Sequence, residues 1–334
     1  MSDKKISLSL LDLAPIIQGS TAKEAFAHSL DIAQLAEKLG YHRYWLAEHH
    51  NMTGIASAAT SVLIGYLAAN TRTLRLGSGG VMLPNHSPLV IAEQFGTLNT
   101  LYPERIDLGI GRAPGSDQRT MQALRRHMNT DIDNFPQDVA QIINWFDAIN
   151  PDPAVRPVPG FGEKIPVWLL GSSLYSARLA AQMGLPFAFA SHFAPDLLLQ
   201  ALDVYRANFL PSQRLPKPYA MVCINIIAAE TQREAEFLFT SMQQAFVMLR
   251  RGQPSQLPAP VESMENIWSP AEEFGVQQAL GMSLVGDKTK VRHGLETILR
   301  QTQADEIMVN GQIFDHQARL HSFELAMQVM NEIM

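Results

Sequence analysis

The sequence predicts an α/β chain of the (β/α)8 barrel type, and three observations predict it. Short apolar runs alternate with longer amphipathic ones about eight times along 334 residues, the number of strand–helix units in such a barrel. Polar residues and glycines gather just after the second, third, fourth, fifth, sixth and eighth apolar runs, the C-terminal rim where barrels keep their chemistry. The sharpest such place is Arg43-Tyr44-Trp45-Leu46-Ala47-Glu48-His49-His50-Asn51, a buried strand that empties into an acid, two imidazoles and an amide.

Residues 6–11 form the first expected strand, and residues 21–39 the first helix, with Phe26, Leu30 and Ala33 on one face and Gly40 as its C-terminal cap. The second strand is 44–47. Successive strand side chains point to opposite faces, so if Glu48 faces the outer helices then His49 faces the interior and His50 turns into the loop. Residues 57–69 read as a small-residue helix, apolar nearly all round, with a subunit interface as the obvious partner for its outer face. The third strand, 74–78, ends in Gly79-Gly80 and is followed by a loop with Asn85, His86 and Pro88 and a helix over 89–101. The fourth, 106–110, ends in Gly111-Arg112, and a helical stretch over about 117–148 leads to a Pro-rich surface connector at 151–159.

The fifth strand, 167–170, runs into Gly171-Ser172-Ser173 and a helix closed by Gly184; the sixth, 187–190, ends in Ser191-His192-Phe193, with Pro195 near the next helix. The seventh strand is 221–228 and is followed by a helix over 232–250. Residues 251–286 lose their periodicity and carry Pro254, Pro258, Pro260 and Pro270, which reads as an insertion between strands seven and eight over one barrel face, a lid candidate. A helix over 288–299, an eighth strand at 307–309 ending in Asn310-Gly311, and a final helix over 316–330 with Leu320, Phe323, Met327 and Met330 in the core complete a single domain over 1–334. A doubly wound sheet is the alternative. Against it, the first strand leads into Asp12-Leu13-Ala14-Pro15 without the glycines that admit a pyrophosphate, and Gly109-Ile110-Gly111-Arg112-Ala113-Pro114-Gly115 misses the G-x-G-x-x-G spacing by one.

A hydrophobic fraction of 46% with 17% charged residues is that of a globular chain. The net charge of −6 argues against a nucleic-acid surface, which needs clustered Lys and Arg. The pairs Arg125-Arg126 and Arg250-Arg251 are expected on solvated helix faces. No apolar run reaches the ~20 residues that span a bilayer, and residues 6–11 are too short for a signal-peptide core, so a cytoplasmic location is expected. The lone cysteine, Cys223, sits in an apolar run and reads as core filler.

Five segments in register resemble the bacterial luciferase-like flavin monooxygenases: Trp45-Leu46-Ala47-Glu48-His49-His50, Gly77-Ser78-Gly79-Gly80-Val81, His86-Ser87-Pro88 before Ile91-Ala92-Glu93-Gln94, Arg105-Ile106-Asp107-Leu108-Gly109-Ile110-Gly111-Arg112, and Trp168-Leu169-Leu170-Gly171-Ser172-Ser173. The resemblance implies a TIM-type barrel that binds FMN, reduced by a separate NAD(P)H:flavin reductase. It also implies a homodimer packed through the helices after strands two and three. It places His49 as the active-site histidine, and Gly79-Gly80 at a non-prolyl cis peptide beneath the isoalloxazine ring. It places Arg112 on the phosphate, with Gly171, Ser172, Ser173 and Tyr175 in the segment that takes the phosphate at a helix N-terminus. Gly111 stands where the luciferase subunit has a reactive cysteine.

For each residue a plainer reading stands beside the functional one. His49 could be a buried imidazole bonded to backbone, Gly79-Gly80 an ordinary bulge, Arg112 a partner of Asp107 or Asp117, and Ser172 and Ser173 simple helix caps. Glu48 and His50 read as structural. No metal site is expected, because adjacent strand side chains diverge. His192 and Asn310 are candidate substrate contacts. The leading expectation is a two-component monooxygenase using reduced FMN and O2 on a small organic substrate, with hydride transfer by the deazaflavin F420 and a non-catalytic flavin-binding protein as alternatives.

Overall fold

The computed structural model describes residues 6–113, 118–124 and 134–334. Its strands are β1 (Ser7–Asp12), β2 (Arg43–Leu46), β3 (Arg75–Met82), β4 (Ile106–Gly111), β5 (Val167–Gly171), β6 (Phe187–Phe189), β7 (Ala220–Ala228), β8 (Ser283–Gly286) and β9 (Glu306–Asn310). All pairings between them are parallel; β1 to β7 pair in chain order, and β9 pairs with both β7 and β1, so eight strands close into a barrel. Closure rules out the doubly wound sheet.

The strand period of two divides the side chains between two cores. Leu8, Leu10, Tyr44, Leu46, Val222, Ile224, Ile307 and Val309 face outward into one apolar layer shared with the helices. Leu11, Trp45, Ala47, Trp168, Met221, Cys223 and Met308 face inward and fill the barrel. Trp45 and Trp168 meet edge to face with centroids 5.2 Å apart, and Trp168 meets Tyr219 the same way at 5.5 Å. Glycines make room for the indoles: a Cβ on Gly77 would lie 2.8 Å from Trp45 Nε1, and one on Gly79 3.1 Å from Trp45 Cβ. Beneath the tryptophans, at the N-terminal end, Arg43 is buried between Asp107 (2.6 Å) and Glu306 (2.8 Å), with its guanidinium 4.8 Å from the Trp168 ring. Arg75 completes Asp107, while Tyr219 and Ser9 complete Glu306.

The helices are α1 (Ala22–Leu39), α2 (Thr60–Ala69), α3 (Pro88–Leu101), α4 (Gln118–Leu124), α5 (Phe135–Phe146), α6 (Leu174–Gln182), α7 (Leu198–Ala207), α8 (Gln232–Arg250), α9 (Pro270–Ala279), α10 (Lys288–Thr302) and α11 (His316–Ile333). None of the described helices is long and apolar enough to cross a membrane. Thr21 and Glu24 form a capping box at the start of α1, and Gly40 ends it at φ 82°. The α1 face differs from expectation: Ala25, Ser29, Ile32, Ala33 and Ala36 are buried, while Phe26 and Leu30 are half-buried at its border. The expected helix over 117–148 contains two, α4 and α5; Asp117 and the Arg125-Arg126 pair lie outside the described residues.

Residues 251–286 are more ordered than their lost periodicity predicts. Their first part is a strap across the C-terminal rim: Leu257 pairs with the loop after β1 through its bonds with Ile16 and Gln18, and Pro254 O accepts from Thr53 in the loop after β2. A Cβ on Gly54 would lie 2.1 Å from Ser255 O, so the two loops press backbone to backbone. Met264, Val276 and Leu280 then join Met242 and Val247 of α8 in a small separate core. The segment ends in β8, which pairs with the upper half of β7 above the end of β6.

Candidate active site

Around the rim, β2 delivers His49, β3 Gly79 and Gly80, β4 Arg112, β5 Gly171 to Ser173, β6 His192, β7 Asn225 and β9 Asn310. The strand order therefore brings every sequence-predicted site residue to one end of one barrel. Within that end they form two groups and a hub.

The hub is Glu48. Its Oε1 accepts from His50 Nε2 and from His86 Nε2, each at 2.8 Å, and its Oε2 accepts from the Met82 amide at 3.1 Å. Burial pushes this carboxyl up, but the bonds from His50 and His86 and the Met82 amide outweigh it and bring it down to about 2. Adjacent side chains on β2 do diverge. The convergence the sequence did not reveal is between His50 and His86, from the turn after β3; with Glu48 they are a group of three possible metal ligands whose donor atoms lie within 4.8 Å of one another. The 2.8 Å spacings are those of hydrogen bonds.

The first group is a wall of amides and imidazoles. Trp45 and Ala47 face the barrel interior, and His49 follows them at the same parity. His49 Nδ1 is enclosed and has no hydrogen-bond partner, and the same holds for His192 Nδ1 and Asn310 Oδ1. Burial pushes the His49 imidazole below its ordinary value, against the pull of Glu48, and burial beside His49 drives His192 down to about 3. Both rings are neutral at pH 7. Phe193 stands edge-on to His192 at 4.8 Å. Asn225, which sequence reading missed, links the wall; the available signal was a lone amide inside the apolar run of β7.

The second group sits after β4 and β5. The Arg112 guanidinium lies 4.1 Å over the Tyr175 ring, and not on Asp107, which Arg43 and Arg75 occupy. Ser173 is the N-cap of α6 in extended geometry, but its hydroxyl makes no capping bond and contacts Ser176 Oγ at 3.2 Å instead. The plain-cap reading is thus corrected for Ser173: the amides of the first turn of α6 are not satisfied by it, and no acidic side chain sits in that turn. Gly171 is required by packing, since a Cβ there would lie 2.1 Å from Ser176 Oγ.

The Gly79–Gly80 peptide is cis. Packing by itself requires glycine at both positions. A Cβ on Gly79 would strike Leu11 Cδ1 at 2.7 Å and crowd Trp45, and one on Gly80 would strike Gly109 O at 2.7 Å. Packing against the tryptophan and the neighbouring strand excludes side chains here, whatever lies above.

The chain belongs to the luciferase-like monooxygenase family, whose model matches residues 8–306. It is 80% identical over all 334 residues of both chains to a luciferase-like monooxygenase of Escherichia coli K12. It is 37% identical over 274 residues, 79% of this chain and 81% of the other, to the N-acetyl-S-alkylcysteine monooxygenase of Bacillus subtilis 168. Among solved structures, apo-MsnO8 superposes with a TM-score of 0.87 at 32% identity over 98% of each chain. The oxygenating constituent of 3,6-diketocamphane monooxygenase of Pseudomonas putida, in complex with FMN, gives 0.72 at 17% identity over 99% of each, and an F420-dependent secondary alcohol dehydrogenase 0.69 at 11% over 98% of this chain and 99% of that one. These last two share the fold.

Proposed function

We propose that this protein is an FMN-dependent monooxygenase that takes reduced flavin from a separate NAD(P)H:flavin reductase and uses O2 to oxygenate a small organic substrate. The observation that carries the reading is that one barrel rim holds both a helix end without a side-chain cap or acidic residue and a half-buried imidazole whose enclosed Nδ1 has no partner. The residues present fit the flavin. Arg112, the open amides of α6 and the hydroxyls of Ser172, Ser173 and Tyr175, with Gly171 keeping the turn tight, would hold the phosphate. The side-chain-free surface of Gly79 and Gly80 would face the ring. When bound, reduced flavin supplies the electrons for oxygen chemistry. His49, kept neutral by burial, is able to accept a proton at Nδ1 and to return it. The strap at residues 253–257 is bonded to the loops after β1 and β2 and would limit the entry of water at that side of the rim. The activity of the Bacillus relative makes an N-acylated thioether the first substrate to try.

The test is anaerobic binding of photoreduced FMN to the protein and to His49→Ala, followed by rapid mixing with O2. The variant is expected to bind FMN within about threefold of wild type and to change the protein-dependent reoxidation rate about tenfold or more. Identical reoxidation by the two proteins would remove His49 from the mechanism. Binding of F420 without FMN would assign the protein to hydride transfer, and binding of neither would leave a non-catalytic protein.

A further inference from the structure

The wall of amides at β7 and β9 has a direction that the hydrogen bonds fix without ambiguity. Asn225 is fully buried, and its Nδ2 donates to the backbone carbonyl of His192 at 2.7 Å and to Ser283 Oγ at 3.0 Å. A carbonyl oxygen only accepts, so the nitrogen of Asn225 is the atom on that side and its Oδ1 is the atom turned toward Asn310. That oxygen accepts in turn from Asn310 Nδ2 at 2.9 Å. Asn310 is consequently oriented with its own Oδ1 facing away from Asn225. This oxygen is enclosed, belongs to a residue only 2% exposed, and has no partner.

A buried amide oxygen held in place and left without a donor is costly unless something donates to it. Neighbouring strand residues do not: Leu11 of β1 and Asn225 of β7 flank Asn310 in register, the first apolar and the second already committed. We propose that Asn310 is a specificity-determining residue whose side-chain oxygen accepts a hydrogen bond from an N–H or O–H donor on the substrate, and that Asn225 and Ser283 are the positioning residues that aim it. Ser283 opens β8, the strand contributed by the inserted segment, so that segment takes part in recognition from behind the wall as well as covering the rim. The substrate class follows: small molecules carrying a secondary amide or a hydroxyl near the reacting atom are accepted, and their N- or O-alkylated counterparts are rejected. A site built around one hydrogen bond discriminates strongly against an analogue that cannot make it, because its buried acceptor is then desolvated and unpaired.

The inference rests on the barrel mouth being the substrate site, and its test is separable from the flavin chemistry. Binding is measured by calorimetry and saturation-transfer NMR for two matched pairs: N-acetyl-S-benzylcysteine with its N-methylated amide, and benzyl alcohol with benzyl methyl ether. Wild type is expected to prefer the donor-bearing member of a pair by about tenfold. Asn310→Leu, which keeps the volume and removes the acceptor, is expected to bring the pair within about twofold of each other. Ser283→Ala, outside the closed barrel and mild for folding, is expected to narrow the preference to about threefold. A merely structural role would weaken both members equally and leave the ratio unchanged. Equal binding within both pairs, no binding of any of the four, or a preference that survives Asn310→Leu overturns the proposal. FMN affinity measured on the same samples tells this failure from failure of the flavin reading, since a donor preference without FMN binding would keep the acceptor and discard the flavin.

Discussion

His192 is a rim residue whose protonation its surroundings alter strongly. Burial beside His49 drives it from 6.5 down to about 3. The unfolded chain takes up this proton as pH falls below 6.5 while the folded chain refuses it until about pH 3, so the stability it carries is complete above the upper value and lost progressively toward the lower one. At pH 5 the loss amounts to about 2 kcal/mol. His192→Gln is therefore expected to flatten the fall in urea-unfolding free energy between pH 6.5 and pH 5 by about that amount; parallel curves for variant and wild type would show that the ring titrates normally. Comparing the two proteins cancels His321, whose raised value acts in the opposite sense. Strand parity alone separated His49 from His50, because alternation is a property of the chain itself. The tie of His50 and His86 to one oxygen of Glu48 was not legible, since it joins residues 36 apart whose meeting depends on where the turn after β3 comes to rest.

Among the elements, α6 shares with α2, α3, α5 and α7 the lack of a side-chain cap, and it is the one of these that starts beside Arg112 and Tyr175. α1, α8, α9, α10 and α11 all begin with a Thr, Ser or Asp side chain that accepts from the first turn, whereas Ser173 does not. If Arg112 and this turn hold a phosphate, Arg112→Met should weaken FMN about tenfold and leave riboflavin within about twofold, because riboflavin lacks the phosphate. Equal losses for the two flavins would return Arg112 to a purely structural stacking role on Tyr175. A serine pair at the end of a strand looked the same as a cap or as a ligand in the sequence, and the free hydroxyl of Ser173 became visible only with the backbone. The elements themselves were mostly legible within a few residues. The exceptions, α9 and β8, both lie in the proline-marked region read as aperiodic; β8 is four residues long, too short for any period to register, and it pairs with the open upper edge of β7.

At the scale of the whole molecule, the barrel was legible from the repeat of its units, whereas the assembly depends on surfaces. The outer faces of α2 and α3 leave Val62 at 69% and Leu101 at 62% exposed, with Tyr66 and Val90 beside them, although α2 is apolar nearly all round. A homodimer through these faces is expected, and Val62→Glu with Tyr66→Glu should shift sedimentation from dimer to monomer; a wild-type protein that sediments as a monomer at micromolar concentration would dismiss it. The tryptophans inside the barrel have an optical consequence. Of the four in the chain, Trp45 and Trp168 are sealed in the interior, and Trp45 lies within 3.2 Å of where a Cβ on Gly79 would be. A chromophore resting on that glycine would sit almost in contact with an indole shielded from water, whose blue-shifted emission overlaps the absorption of oxidised flavins. Occupancy of the mouth should thus be written into the protein's own fluorescence, so that loading and release can be followed in real time without a label.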